Sequence, residues 1–137
     1  MKAHRTAAAL VALTTWPLVA QSPGEVPLRQ LYDDHRWFEL RERVQSSSAP
    51  LFYRCAVASA FNRVDEAARC FTEVLQRPSE TWLTQEAREQ LGTLYLRVGR
   101  AADALRVFDE LAISAPQRQD LQNVRSLLSA VMPRHSR

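Results

Sequence analysis

Between Leu91 and Pro116, small and large side chains recur at the spacing that two closely packed antiparallel helices require. Leu91-Gly92 is followed by Tyr95, Gly99, Ala104, Phe108 and Pro116. Helices approach closely only where small residues oppose each other, and Gly92 and Ala104 are the pair expected to do so. Leu91, Tyr95 and Phe108 then fill the space around that contact. Gly99 is the turn residue between the two helices.

The same pattern recurs upstream. Asn62-Arg63-Val64-Asp65-Glu66-Ala67 has the form of Gly99-Arg100-Ala101-Ala102-Asp103-Ala104. Each places a turn residue and an arginine before an acid that suits the next helix start. Phe71 follows Ala67 at the interval that separates Phe108 from Ala104. A third copy is His35-Arg36-Trp37-Phe38-Glu39-Leu40, and the units close near Pro50, Pro78 and Pro116. Ala67 and Ala104 are 37 positions apart, with the surplus residues assigned to a Gln76–Thr84 loop; Leu40 and Ala67 are 27 apart, so the first unit has short helices.

Periodicity places helices at Val26–Asp34, Arg36–Gln45, Pro50–Phe61, Val64–Gln76, Glu80–Val98, Arg100–Ile113 and Gln117–Val131. The last is expected to cover the open face of the third hairpin, since an end repeat cannot bury both faces. No run of residues alternates as a strand. The expected fold is all-α.

Residues 85–116 resemble a tetratricopeptide repeat, a helix–turn–helix unit of about 34 residues. Residues 27–131 look like a small α-solenoid of two to three such units with a C-terminal capping helix. The resemblance rests on Leu91, Gly92, Tyr95, Ala104, Phe108 and Pro116. It departs at Arg88, where a Trp is expected, and at Leu111, where an Ala is expected. The upstream unit has Cys55 at the Gly position and Ala58 at the Tyr position. Such arrays bind protein segments on a concave face and carry no chemistry of their own. Residues 31–45, 49–62, 86–100 and 120–130 are also similar to the helical region preceding the protease domain of exported bacterial retropepsin-like aspartic proteases. No Asp here begins an Asp-Thr-Gly or Asp-Ser-Gly triplet. That second resemblance implies an accessory domain whose catalytic part is encoded separately or lost.

The amino terminus has the layout of a secretory signal peptide over residues 1–20, with cleavage after Ala20. Lys2, His4 and Arg5 form its basic start. Thr6–Val19 is an apolar run of 14 residues, shorter than the ~20 that a spanning helix needs. The expectation is an exported protein, periplasmic or secreted, with no stable membrane span after cleavage. Residues 21–26 are expected to be a linker, 27–131 the domain and 132–137 a disordered tail.

Without the leader, sixteen arginines face fifteen carboxylates, and no lysine remains. A near-neutral balance argues against nucleic acid, whose recognition needs a clustered basic face. Three glycines are too few for a Gly-rich phosphate loop.

His35 is the single histidine of the domain and reads as an exposed turn residue, since a zinc site wants three or four ligands. Asp33-Asp34, Asp65-Glu66 and Asp109-Glu110 are sequence neighbours that diverge on a helix, so they do not pair across a cleft. Ser46, Ser47 and Ser48 lack triad partners. These residues predict no enzyme, no cofactor and no metal. Cys55 and Cys70 lie on facing helices of one hairpin, and the reading leaves two buried thiols and a disulfide both open. Trp37, Phe38, Phe52, Tyr53, Phe61, Phe71, Tyr95 and Phe108 read as core. Trp82 falls in the loop before the third hairpin, where it either staples the loop or meets a partner.

The concave face is expected from the first helix of each hairpin: Glu86, Glu89, Thr93, Leu96 and Arg97 in one unit, and Phe52, Ala56, Ser59 and Ala60 in the other. Phe52, Glu89, Thr93, Leu96 and Arg97 are the predicted partner-binding residues. Tetratricopeptide domains that grip a terminal carboxylate use Lys and Asn there, and this chain has neither. The lining suits a helix or extended peptide with apolar anchors.

Overall fold

The computed structural model describes residues 26–46 and 48–131, and the expected signal peptide, most of the linker and the tail lie outside them. The described chain is all-α. Seven helices follow in order: α1 Leu28–Asp33, α2 Trp37–Ser46, α3 Leu51–Ala60, α4 Val64–Gln76, α5 Thr81–Arg97, α6 Ala101–Ser114 and α7 Gln119–Val131. Each packs on the next along the chain. α1, α3 and α5 also touch in succession, whereas α2, α4 and α6 pack only on odd-numbered helices among the described residues.

Three turns in this chain are built alike. His35, Asn62 and Gly99 have φ of 56°, 57° and 77°. The next residue's N–H reaches back to a carbonyl five positions upstream: Arg36 to Leu31 at 2.9 Å, Arg63 to Ala58 at 2.9 Å and Arg100 to Tyr95 at 2.8 Å. The turn residue's own N–H donates to Tyr32, Ser59 or Leu96 at 3.0 Å. Together these are the two bonds of a Schellman closure, which satisfies carbonyls a helix end would leave bare. Each arginine then pairs with the acid three residues on: Arg36 with Glu39, Arg63 with Glu66, Arg100 with Asp103. Those acids also sit in the first turn of α2, α4 and α6, where the helix dipole favours negative charge. One residue further on, Leu40, Ala67 and Ala104 are fully buried.

The core runs unbroken from Leu31 in α1 to Leu121 in α7. Val44, Phe71 and Phe108 occupy matching buried positions on α2, α4 and α6. α7 covers α6 with Leu121, Val124 and Leu128. Phe52 is the centre of an aromatic cluster. Its ring lies 5.2 Å from Tyr32, 5.5 Å from Tyr53, 6.0 Å from Phe71 and 6.2 Å from Trp82.

The structure corrects several expectations. Residues 80–84 fall in both the expected loop and the expected helix start, and the helix holds: Trp82 is in the first turn of α5, the α4–α5 connection is residues 77–80, and the surplus residues lengthen α5 to 17. Trp82 packs edge-on against Phe52 and lies under the Arg29 guanidinium, 4.5 Å from the ring centroid. The atoms nearest a β-carbon on Gly92 belong to Phe108 rather than Ala104, because Phe108 projects its ring tip across the helix crossing. Phe38 is 66% exposed, not core. Trp37 and Phe38 are neighbours on α2, and the helix turns them about 100° apart, so one faces outward. Of the two readings for the cysteines, the disulfide is present: Cys55 and Cys70 join α3 to α4 with Cα atoms 5.3 Å apart.

Candidate partner-binding face

α5 buries one stripe, Leu83, Ala87, Leu91 and Leu94, against the core. Its other side carries Glu86, Glu89, Gln90, Thr93, Leu96 and Arg97, at the three- and four-residue spacing of a single helix face. The structure brings most of the predicted residues together there, and neighbouring helices then decide which of them stay available.

Tyr32 reaches from α1 and donates its hydroxyl to Glu86 Oε1 at 2.6 Å. Gln90 Nε2 donates to the Tyr32 oxygen at 2.9 Å and to Glu86 Oε1 at 3.2 Å. Burial, and after it the Glu86 hydrogen bond, pushes the Tyr32 phenol well above its ordinary range. Arg118, just before α7, clasps both oxygens of Glu89 and also pairs with Asp120. Those two carboxylates hold the Arg118 guanidinium even more firmly protonated than usual. Arg97 spans to α3 and donates from Nη2 to the Ser59 carbonyl at 3.3 Å.

Phe52 does not belong to this face. It is 1% exposed, enclosed by Tyr32, Tyr53, Phe71 and Trp82, and a partner cannot reach it. Ala56 and Ser59 are buried too, while Ala60 is exposed. Tyr32 and Trp82, far apart in sequence, close over Phe52 together, which helical periodicity alone does not reveal. Thr93, Leu96 and Arg97 remain exposed. They form a short face with one hydroxyl, one aliphatic side chain and one guanidinium.

Sequence reasoning passed over Tyr32, Gln90 and Arg118, which occupy the face's carboxylates. Their partners lie 29 to 58 positions away, and no local pattern announces them. His35 is the exposed turn residue expected, and its ring stands edge-on to Trp37. Among the described residues, no group of three or more His, Cys, Asp or Glu could hold a metal ion, and no helix is long and apolar enough to cross a membrane. The chain matches no protein-family model, and no characterised protein or solved structure is found to be similar to it.

Proposed function

We propose that this chain is an exported, non-enzymatic interaction scaffold of tetratricopeptide-like hairpins, which binds a segment of another protein on its Thr93–Leu96–Arg97 face. The observation that carries this reading is the threefold recurrence of one turn: a left-handed residue, an arginine, an acid three residues on and a fully buried side chain after it. Repeated hairpins stacked on a common core form extended surfaces suited to gripping a polypeptide. Glu86, Glu89 and Gln90 are engaged internally and stiffen the face. Leu96 supplies an apolar anchor, and Arg97 a donor of the type enriched in binding hot spots. The Cys55–Cys70 bond supports an oxidising compartment, where disulfides persist.

Site-specific photo-crosslinking tests this. A photoreactive side chain at Thr93 or Leu96 is expected to capture a discrete protein in the cell envelope, and one at Arg106 on α6 is not. Capture from Arg106 alone would move the binding surface to the opposite side. Amino-terminal sequencing is expected to find Gln21 first; an intact Met1 on cytosolic protein would refute export.

A further inference from the structure

We infer that a second docking site lies in the groove between α2 and α3, and that its occupant is an acidic peptide segment in which carboxylates flank an aliphatic or aromatic side chain. Phe38 is exposed at the start of α2, and its ring meets Phe61 at the end of α3, 5.2 Å apart and nearly perpendicular. Arg41 lies across both rings, 5.4 Å from the Phe38 centroid and 4.8 Å from that of Phe61. A guanidinium stacked on aromatic rings keeps its in-plane N–H donors for a planar acceptor such as a carboxylate. The stacking also orders the long side chain beforehand, so less rotamer freedom is lost on binding.

Beside this aromatic corner opens a groove of about 550 Å³, lined by Arg41, Glu42, Gln45, Phe61 and Arg63. It continues into a hollow of about 290 Å³ that reaches Arg54, with Val44 and Val57 in its wall. Arg63 spends its guanidinium on both oxygens of Glu66, at 3.0 and 2.9 Å. Arg41 and Arg54 form no ion pair with a carboxylate among the described residues. Arg41 and Arg54, without a carboxylate partner among the described residues, therefore share this groove with the exposed edge of the Phe38–Phe61 pair, which is the complement of a peptide with acids around an apolar residue.

Charge also selects among occupants. Spaced carboxylates can sit at Arg41 and Arg54 alone, whereas an unbroken row of phosphates would also have to pass Glu42 and Glu66 in the groove's lining. The chain's own C-terminal residues carry Arg134 and Arg137 and match the groove in sign. A second copy meeting through the same patch would set arginine against arginine.

A random-peptide display library selected on the full-length protein tests the assignment. The enriched peptides are expected to pair Asp or Glu with an aliphatic or aromatic residue. Synthetic versions, followed by fluorescence anisotropy, should lose about tenfold in affinity on Arg41→Ala and on Arg54→Glu, and weaken as salt rises. Arg54 is exposed, so Arg54→Glu decides the matter even where Arg41→Ala disturbs the fold. Arg97→Ala should leave these affinities unchanged, which separates this site from the α5 face. Enrichment without carboxylates, equal binding to Arg54→Glu, or tighter binding to single-stranded DNA or phosphatidylglycerol vesicles would overturn the proposal.

Discussion

The ring of Phe108 fills the space that a β-carbon on Gly92 would need. Three of its atoms would stand 2.8, 2.9 and 3.0 Å from that carbon. α5 and α6 are therefore as close at this crossing as a glycine and a phenylalanine permit. Gly92→Ala should push Phe108 out of place in a site where Phe108 is itself buried, at a cost of about 1–3 kcal/mol. Thr93→Ala, one residue along and exposed, should stay within about 0.5 kcal/mol. Adding Phe108→Leu to Gly92→Ala should recover part of the loss. Urea melts of the wild type, Gly92→Ala, Phe108→Leu, their double variant and Thr93→Ala check this, and additive losses in the double variant would mean the two residues do not compete for space.

Cys55 and Cys70 close a loop across one hairpin, 15 positions apart. Constraint of the unfolded chain by a loop of that size is worth about 3 kcal/mol. The Cys55→Ala, Cys70→Ala variant should melt roughly 12–24 °C lower, since 1 kcal/mol moves a domain of this size by about 4–8 °C. The oxidised native protein should show no thiol to a colorimetric reagent until it is denatured and reduced. Thiol reactivity before reduction would contradict the bond.

Tyr32 sets the alkaline limit. Its phenol keeps its proton in the fold, because burial and then Glu86 disfavour the phenolate. In the unfolded chain it ionises near the ordinary value of about 10. The folded state thus retains a proton that the unfolded state releases, so stability is level below about pH 10 and falls above it. Burial shifts Tyr53 in the same direction. Tyr32→Phe should cost about 1 kcal/mol at neutral pH for the lost hydrogen bond. It should also flatten the alkaline fall in urea midpoints. An unchanged slope would show that Tyr32 does not carry it.

Arg88 stands where the resemblance to a tetratricopeptide repeat would lead one to expect a tryptophan. Its Nε is buried without a hydrogen-bond partner among the described residues, and the Glu110 carboxylate is 3.8 Å away. Replacing a poorly paired, partly buried cation by an apolar side chain of similar length is often neutral or stabilising. Arg88→Met should therefore hold or raise the melting temperature. A clear drop would mean the guanidinium ties α5 to α6.

The sequence by itself determined the helices and their turns. Val64–Gln76 is the predicted helix residue for residue, and the other six agree within two residues at each end. The three left-handed turn positions stand where the repeated Arg and acid pattern put them. These features are local: apolar period, turn residue and first-turn acid act within a few positions of one another. The candidate face was legible in part, as Thr93, Leu96 and Arg97 lie on the exposed side of α5. Of the two roles expected of Phe52, the core one holds and the surface one fails, because Tyr32 and Trp82 cover it; that Glu89 is paired with Arg118 could not be read locally. Only the tertiary structure decided that Gly92 meets Phe108, that Cys55 meets Cys70, and that Phe38 faces outward beside Arg41. Periodicity says which stripe of a helix is apolar. How two helices cross decides which residues meet, and one residue of difference turns a side chain by about 100°.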